Sequence, residues 1–121
     1  MTKILIIDDD PSVVGFLTNV LTDNDYEVVS ADNAADGLNL ALDQTPDLIL
    51  LDIEMPTATG SDFYRRLRHE KTLKETPVVV VSGYHSKHIA VTKNVPVLEK
   101  PVDEDQLIAQ VRASLGTGPG H

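Results

Sequence analysis

The sequence predicts an α/β protein built on a doubly wound, five-stranded parallel sheet in three layers. Three observations predict it. Short apolar runs alternate with stretches of helical spacing, which is the strand–helix order of that class. The run Val78-Val79-Val80-Val81 is β-branched throughout, as a strand covered on both faces should be. Four apolar runs also end in polar groups: Ile4-Leu5-Ile6-Ile7 in Asp8-Asp9-Asp10, Leu48-Ile49-Leu50-Leu51 in Asp52, Val78–Val81 in Ser82, and Val97-Leu98-Glu99 in Lys100-Pro101. In open parallel sheets the crevice outside the carboxyl ends of the strands is where ligands bind. If the runs are parallel strands, their carboxylates, hydroxyl and ammonium converge on one pocket.

Each element has its own signal. The first strand covers residues 3–7, and Asp10 then caps a helix whose first residue is Pro11, a favoured pair. That helix presents Val13, Val14, Leu17, Val20 and Leu21 at helical spacing and breaks at Asn24-Asp25. Residues 27–31 form a short second strand. Asp32 or Asn33 caps a second helix with an apolar face of Ala34, Ala35, Leu38, Ala41 and Leu42, stopped by Pro46. The third strand covers residues 48–51, and a Pro- and Gly-bearing loop covers 55–60. A third helix runs from Ser61 to about Glu70 with Phe63, Tyr64 and Leu67 facing inward. The fourth strand covers 78–81. The fifth covers 95–99, where Pro96 suits an edge position. Residues 84–94 leave room for only a short, poorly amphipathic helix between them. Asp103 and Gln106 frame a capping box for the last helix, which buries Leu107, Ile108, Val111 and Leu115. One domain over residues 1–115 and a flexible tail over 116–121 follow.

At 121 residues the chain is long enough for a hydrophobic core without staples, and with no cysteine it has no disulfide or thiol chemistry. Ten Lys and Arg stand against 19 Asp and Glu, a net charge of −9 that repels nucleic acid and anionic membranes. No apolar stretch approaches the ~20 residues of a membrane span. The start, Met1-Thr2-Lys3, has no signal-peptide pattern, so a cytoplasmic location is expected.

Asp8, Asp9 and Asp52 are the centre of the chemistry. Three carboxylates near one point repel one another, and a hard divalent cation such as Mg²⁺ relieves the repulsion with oxygen ligands. Lys100 adds a compact positive charge and Ser82 a hydroxyl donor, both suited to phosphoryl oxygens. A carboxylate can itself be the nucleophile that forms an aspartyl phosphate. Taken singly, an Asp after a strand is often only a loop residue or a cap, and Asp10 is read as a cap alone. The ordered set of Asp-Asp, Asp, Ser and Lys-Pro after four strands is much harder to explain that way.

These residues resemble the receiver domains of two-component response regulators. The resemblance rests on residues 4–10, on Leu51-Asp52-Ile53-Glu54-Met55-Pro56 with Gly60, on Val81-Ser82-Gly83 and on Glu99-Lys100-Pro101, and it covers about residues 3–115. It implies a flavodoxin-like (βα)5 fold with strand order 2-1-3-4-5. It implies that Asp52 accepts a phosphoryl group from the phosphohistidine of a sensor histidine kinase or a histidine phosphotransfer protein. Asp9, Asp52 and the backbone carbonyl of Glu54 would hold Mg²⁺, with Asp8 acting on it through water. Ser82 and Lys100 would contact the phosphoryl group, Gly83 would keep the approach open, and Lys100-Pro101 would be a cis peptide. On this reading the chain is no turnover enzyme; it assists its own phosphorylation and autodephosphorylation. With no effector domain after Leu115, its output is protein–protein contact, as a monomer or a weak phosphorylation-dependent dimer.

Two features depart from the family pattern. Val97 stands where the family often has an aromatic residue that swings inward on phosphorylation. The interval from Ser82 to Lys100, 18 positions (100 − 82), is about one helical turn shorter than usual. Both affect the face formed by the segment after the fourth strand, the fifth strand and the last helix, the family's common output surface. Glu54 and Tyr84 lie where the family tunes phosphoryl lifetime, and together they are expected to slow autodephosphorylation. His85 and His88 lack the further ligands of a metal site and read as surface residues. Arg65, Arg66, Arg68 and His69 read as a solvated basic face. Two alternatives are a phosphohydrolase of the haloacid dehalogenase type and a degenerate receiver serving as a constitutive scaffold. The first needs an Asp two residues after the nucleophile, where Glu54 stands. The intact acidic set, Ser82 and Lys100 argue against the second.

Overall fold

In the computed structural model, which describes residues 1–52, 60–83 and 95–116, the apolar runs form one parallel sheet. The strands are β1 (Lys3–Ile7), β2 (Glu27–Ala31), β3 (Leu48–Asp52), β4 (Val78–Ser82) and β5 (Val97–Glu99), in the order β2-β1-β3-β4-β5. The helices among the described residues are α1 (Pro11–Asp23), α2 (Ala34–Gln44), α3 (Gly60–His69) and α4 (Glu104–Gly116). The short helix expected in 84–94, residues 55–59 of the expected loop and residues 117–121 of the expected tail lie outside the described residues, whereas Gly60 and Gly116, expected in that loop and tail, belong to α3 and α4.

The continuous apolar character of β1, β3 and β4 follows from their burial on both faces. Ile4 and Ile6 of β1, with Leu48 and Leu50 of β3 and Val79 and Val81 of β4, pack against Leu17, Val20 and Leu21 of α1 and Leu107 and Val111 of α4. The intervening residues Leu5, Ile7, Ile49, Leu51 and Val78 face the opposite way, onto Ala34 and Ala41 of α2 and Phe63 and Leu67 of α3. β1, β3 and β4 therefore each feed two cores, because successive side chains point to opposite faces.

Caps set the helix boundaries largely as expected. The Asp10 side chain accepts a hydrogen bond from the Ser12 amide, and Pro11 opens α1. Asn33, rather than Asp32, caps α2, accepting from the Asp36 amide at 2.8 Å. Thr45 closes α2 in the left-handed region (φ 42°), ahead of the buried Pro46. The Gln106 amide donates to Asp103 Oδ2 at 3.0 Å at the start of α4.

Several local expectations need correction. β5 begins at Val97 rather than at residue 95, because Pro96 has no N–H to give the ladder; its carbonyl still accepts from the Val80 amide at 2.9 Å. The inner face of α2 is Ala34, Gly37 and Ala41, with Leu38 half-buried, while Ala35 and Leu42 are exposed. Gly37 turns this helix: a Cβ there would stand 2.6 Å from Ile7 Cδ1 and 2.9 Å from Ile7 Cγ1, so its absence lets α2 settle onto β1. In α4 Leu115 is only half-buried, and Ser114 takes the buried position, accepting from Gln110 Nε2 at 3.0 Å. Arg68 does not belong to a solvated face. Its Nη1 donates to the carbonyls of Leu73, Lys74 and Thr76 at 3.3, 2.6 and 3.0 Å, tying the end of α3 to the turn that leads into β4.

Candidate functional site

The site lies at the carboxyl ends of β1, β3, β4 and β5, where the strand-end polar residues meet. Asp52 is the last residue of β3 and still pairs in register with Val81 of β4, so its backbone is held by the ladder. Ser82 closes β4 in register with Glu99 of β5. The Lys100 amide donates to the Ser82 carbonyl at 2.7 Å, and the Lys100–Pro101 peptide is cis, as the motif implied. Asp8 continues β1 by donating its amide to the Ala31 carbonyl of β2 at 3.1 Å.

These anchors bring Asp8, Asp9 and Asp52 together, with a carboxylate oxygen from each lying within 4.8 Å of the others. Asp8 and Asp52 are each 2% exposed, whereas Asp9 faces solvent. Lys100 Nζ approaches Asp8 Oδ2 at 3.2 Å and Asp52 Oδ1 at 3.7 Å. The contact with Asp8 is an ion pair without hydrogen-bond geometry, so Asp8 Oδ2 makes no hydrogen bond among the described residues. Ser82 Oγ is fully buried and also has no hydrogen-bond partner there. A buried hydroxyl without a partner is costly, and native structures usually keep one only for a purpose.

This donor set fits a hard divalent cation. It is all oxygen and anionic, with two buried carboxylates, one solvent-facing carboxylate and a buried carboxylate oxygen still short of a donor. Of the sequence-derived site residues, Asp8, Asp9, Asp52, Ser82 and Lys100 are brought together. Glu54, expected to give a backbone carbonyl, and Tyr84, His85 and His88 lie outside the described residues. One contribution escaped the sequence reading. Asp10 is more than a cap, because its backbone amide donates to Asp8 Oδ1 at 2.9 Å and helps fix that carboxylate. A main-chain donor has no side-chain signature by which the sequence could have announced it.

Comparison with known proteins agrees with this arrangement. The model of the response regulator receiver domain family matches residues 4–112. The chain belongs to the response regulator receiver family. Among curated relatives, protein PilH of Pseudomonas aeruginosa is 34% identical over 119 residues, covering 95% of this chain and 98% of PilH. Response regulator ArlR of Staphylococcus aureus is 31% identical over 98% of this chain, which spans only 55% of ArlR. A putative response regulator from Chloroflexus aurantiacus superposes with a TM-score of 0.88 at 25% identity, covering 95% of this receiver and 98% of that chain. The receiver thus has the five-stranded fold and strand order of its family, and it is a signalling module of two-component systems. None of its described helices is long and apolar enough to cross a membrane.

Proposed function

We propose that this receiver accepts a phosphoryl group on Asp52 from a phosphohistidine, on a sensor histidine kinase or a histidine phosphotransfer protein, and signals through protein–protein contact. We read its location as cytoplasmic, where such donors act. The observation that carries the reading is the buried Asp52 carboxylate at the end of β3, grouped with the acidic pair Asp8 and Asp9 and the Lys100 ammonium, beside a buried Ser82 hydroxyl that has no hydrogen-bond partner among the described residues.

Transfer forms one bond and breaks one. A carboxylate oxygen of Asp52 donates an electron pair to phosphorus, and the phosphorus–nitrogen bond of the phosphohistidine breaks. The electron pair of that bond goes to the imidazole nitrogen, and the histidine leaves as neutral imidazole, either with the proton already on its other ring nitrogen or with one taken from solvent. Asp8, Asp9 and Asp52 are the groups that would hold Mg²⁺, with the Glu54 carbonyl as the family-derived fourth. When bound, the cation supplies positive charge against the oxygens of the transferring group. Lys100 would exchange its contact with Asp52 for a phosphoryl oxygen. Ser82 Oγ gains in that state the acceptor it otherwise lacks. Asp10 holds Asp8 through its amide. Loss of the phosphoryl group is attack by water at phosphorus with release of inorganic phosphate, and Glu54 and Tyr84 are proposed to slow it.

The test is amide NMR with beryllofluoride, which mimics a phosphoryl group on Asp. Shifts that need Mg²⁺ and disappear in Asp52→Asn are expected. A wild-type spectrum that does not respond would sink the reading.

A further inference from the structure

A second surface, continuous with the acidic centre at Asp8 and Asp9, is a groove at the β2 edge of the sheet, between α1 on one face and α2 on the other, with a volume of about 900 Å³. Its apolar lining includes the half-buried Val14, Ala31 and Leu40. It also carries the carboxylates of Asp8, Asp9, Asp32, Asp36 and Asp43, and among the described residues no Lys, Arg or His lines it. Asp32, Asp36 and Asp43 are exposed, and Gly15 leaves the α1 side open, with nothing among the described residues beyond its own helix backbone and chain neighbours within 4 Å of where its Cβ would be. An apolar trough between acidic rims complements an amphipathic helix whose apolar side is flanked by Lys or Arg.

We propose that this groove is a docking surface for a basic amphipathic helical segment of a partner protein. Charge complementarity selects the occupant, because a neutral apolar segment would leave the rim carboxylates partly desolvated without a counter-charge, and an acidic one would be repelled. The groove also runs into the phosphoryl site, since Asp8 and Asp9 belong to both. On the far side of the sheet, the half-exposed Val97 offers no aromatic side chain to relay a change at Ser82. A partner in the α1–α2 groove needs no such relay, because it sits against two of the acidic residues themselves. This link to signalling rests on the function proposed above, whereas the docking surface does not.

The experiment is NMR titration of the full chain, without Mg²⁺ or beryllofluoride, using a Leu/Lys amphipathic helical peptide and a Lys/Ser peptide of equal charge. The amphipathic peptide is expected to shift residues of α1 and α2 around the groove and to bind at least tenfold more tightly than the Lys/Ser peptide. Asp36→Asn with Asp43→Lys should weaken it about tenfold or more. Glu104→Gln with Asp105→Lys makes the same charge change on α4 and should weaken it less than threefold. Equal losses in the two double variants, shifts spread over the whole acidic surface, or equal affinity for both peptides would overturn the proposal. Self-association in sedimentation equilibrium that Asp36→Asn/Asp43→Lys abolishes would instead assign the groove to a second copy, and would equally overturn it. If docking holds in Mg²⁺-free protein while beryllofluoride produces no response, the phospho-acceptor reading fails and the docking surface stands.

Discussion

Lys100 Nζ lies 3.2 Å from Asp8 Oδ2, although Lys100 follows β5 and Asp8 follows β1, with β3 and β4 between them. The lysine therefore reaches past Asp52 to the far carboxylate of the site and serves both buried acids. Removing it takes away the ammonium that both buried carboxylates contact. Lys100→Met is expected to lose about 2 kcal/mol in chelator-treated buffer, below the usual cost of breaking a fully buried pair because Lys100 is partly exposed. Urea unfolding with and without Mg²⁺ checks this. The variant should gain more from the cation than wild type, since the same charge deficit is being filled. Equal gains would mean that Lys100 and the cation do not share a role.

Asp9 is the solvent-facing member of the acidic cluster, and it is not needed to complete the core. Without a cation it adds only repulsion to Asp8 and Asp52. Asp9→Asn is therefore expected to raise the melting temperature in chelator by about 2–4 °C, a fraction of a kcal/mol to 1 kcal/mol for a domain of this size. Wild type should gain ~1.4 kcal/mol at Mg²⁺ tenfold above its Kd. The variant should gain much less at the same concentration. Calorimetry in both buffers reads the crossover; a variant less stable in chelator would contradict it.

Ser82→Ala separates function from folding. Ser82 Oγ is fully buried and has no hydrogen-bond partner among the described residues, so its removal deletes an uncompensated polar group. Stability is expected to stay level or rise by up to ~1 kcal/mol. Beryllofluoride affinity should fall ~10-fold or more, the value of one hydrogen bond to a charged acceptor. A destabilised Ser82→Ala with undiminished beryllofluoride binding would reverse both assignments.

Gly37→Ala weighs two opposing effects. Alanine favours helix by about 1 kcal/mol over glycine. Against that, the new methyl meets Ile7 at 2.6 and 2.9 Å, and Ile7 is fully buried between α2 and the sheet, so it cannot swing away freely. Overpacking of this kind costs about 1–3 kcal/mol. A net loss of ~1 kcal/mol is expected in denaturant titration, and a gain would show that Ile7 repacks.

The parts of this molecule legible in its sequence are those written in local chemistry. Continuous apolar runs marked β1, β3 and β4, and the Asp10-Pro11 pair fixed the start of α1. The polar residues at the ends of those runs and of β5 point to Asp8, Asp9, Asp52, Ser82 and Lys100 by residue type and position alone. What stayed hidden depends on distances between elements remote in sequence. The face of α2 was misjudged because its rotation is set by Gly37 against Ile7, and an amphipathic pattern does not show which of two neighbouring faces comes closest to a strand. The reach of Lys100 to Asp8 depends on the twist and order of four strands. The role of Arg68 depends on carbonyls up to eight residues ahead, which no periodicity reports.

Arg68 supplies the last prediction. Three carbonyls of the turn after α3 converge on its Nη1, and its guanidinium lies 4.6 Å from the centroid of the Tyr64 ring. Removing the side chain leaves those carbonyls without this donor just before β4, the strand that ends in Ser82. Hydrogen bonds to charged groups contribute about 1.5–3 kcal/mol, and an exposed cation–π contact about 0.5–1 kcal/mol. Water reaches part of this turn and replaces some of the loss, so Arg68→Ala is expected to cost ~2 kcal/mol in urea unfolding. Arg68→Lys keeps a donor but not the flat face over Tyr64, and should recover only part of that. Hydrogen exchange localises the effect: amides of residues 70–78 should lose protection more than those of β1. Uniform loss across both regions would mean that Arg68 acts on global stability rather than on the turn it ties down.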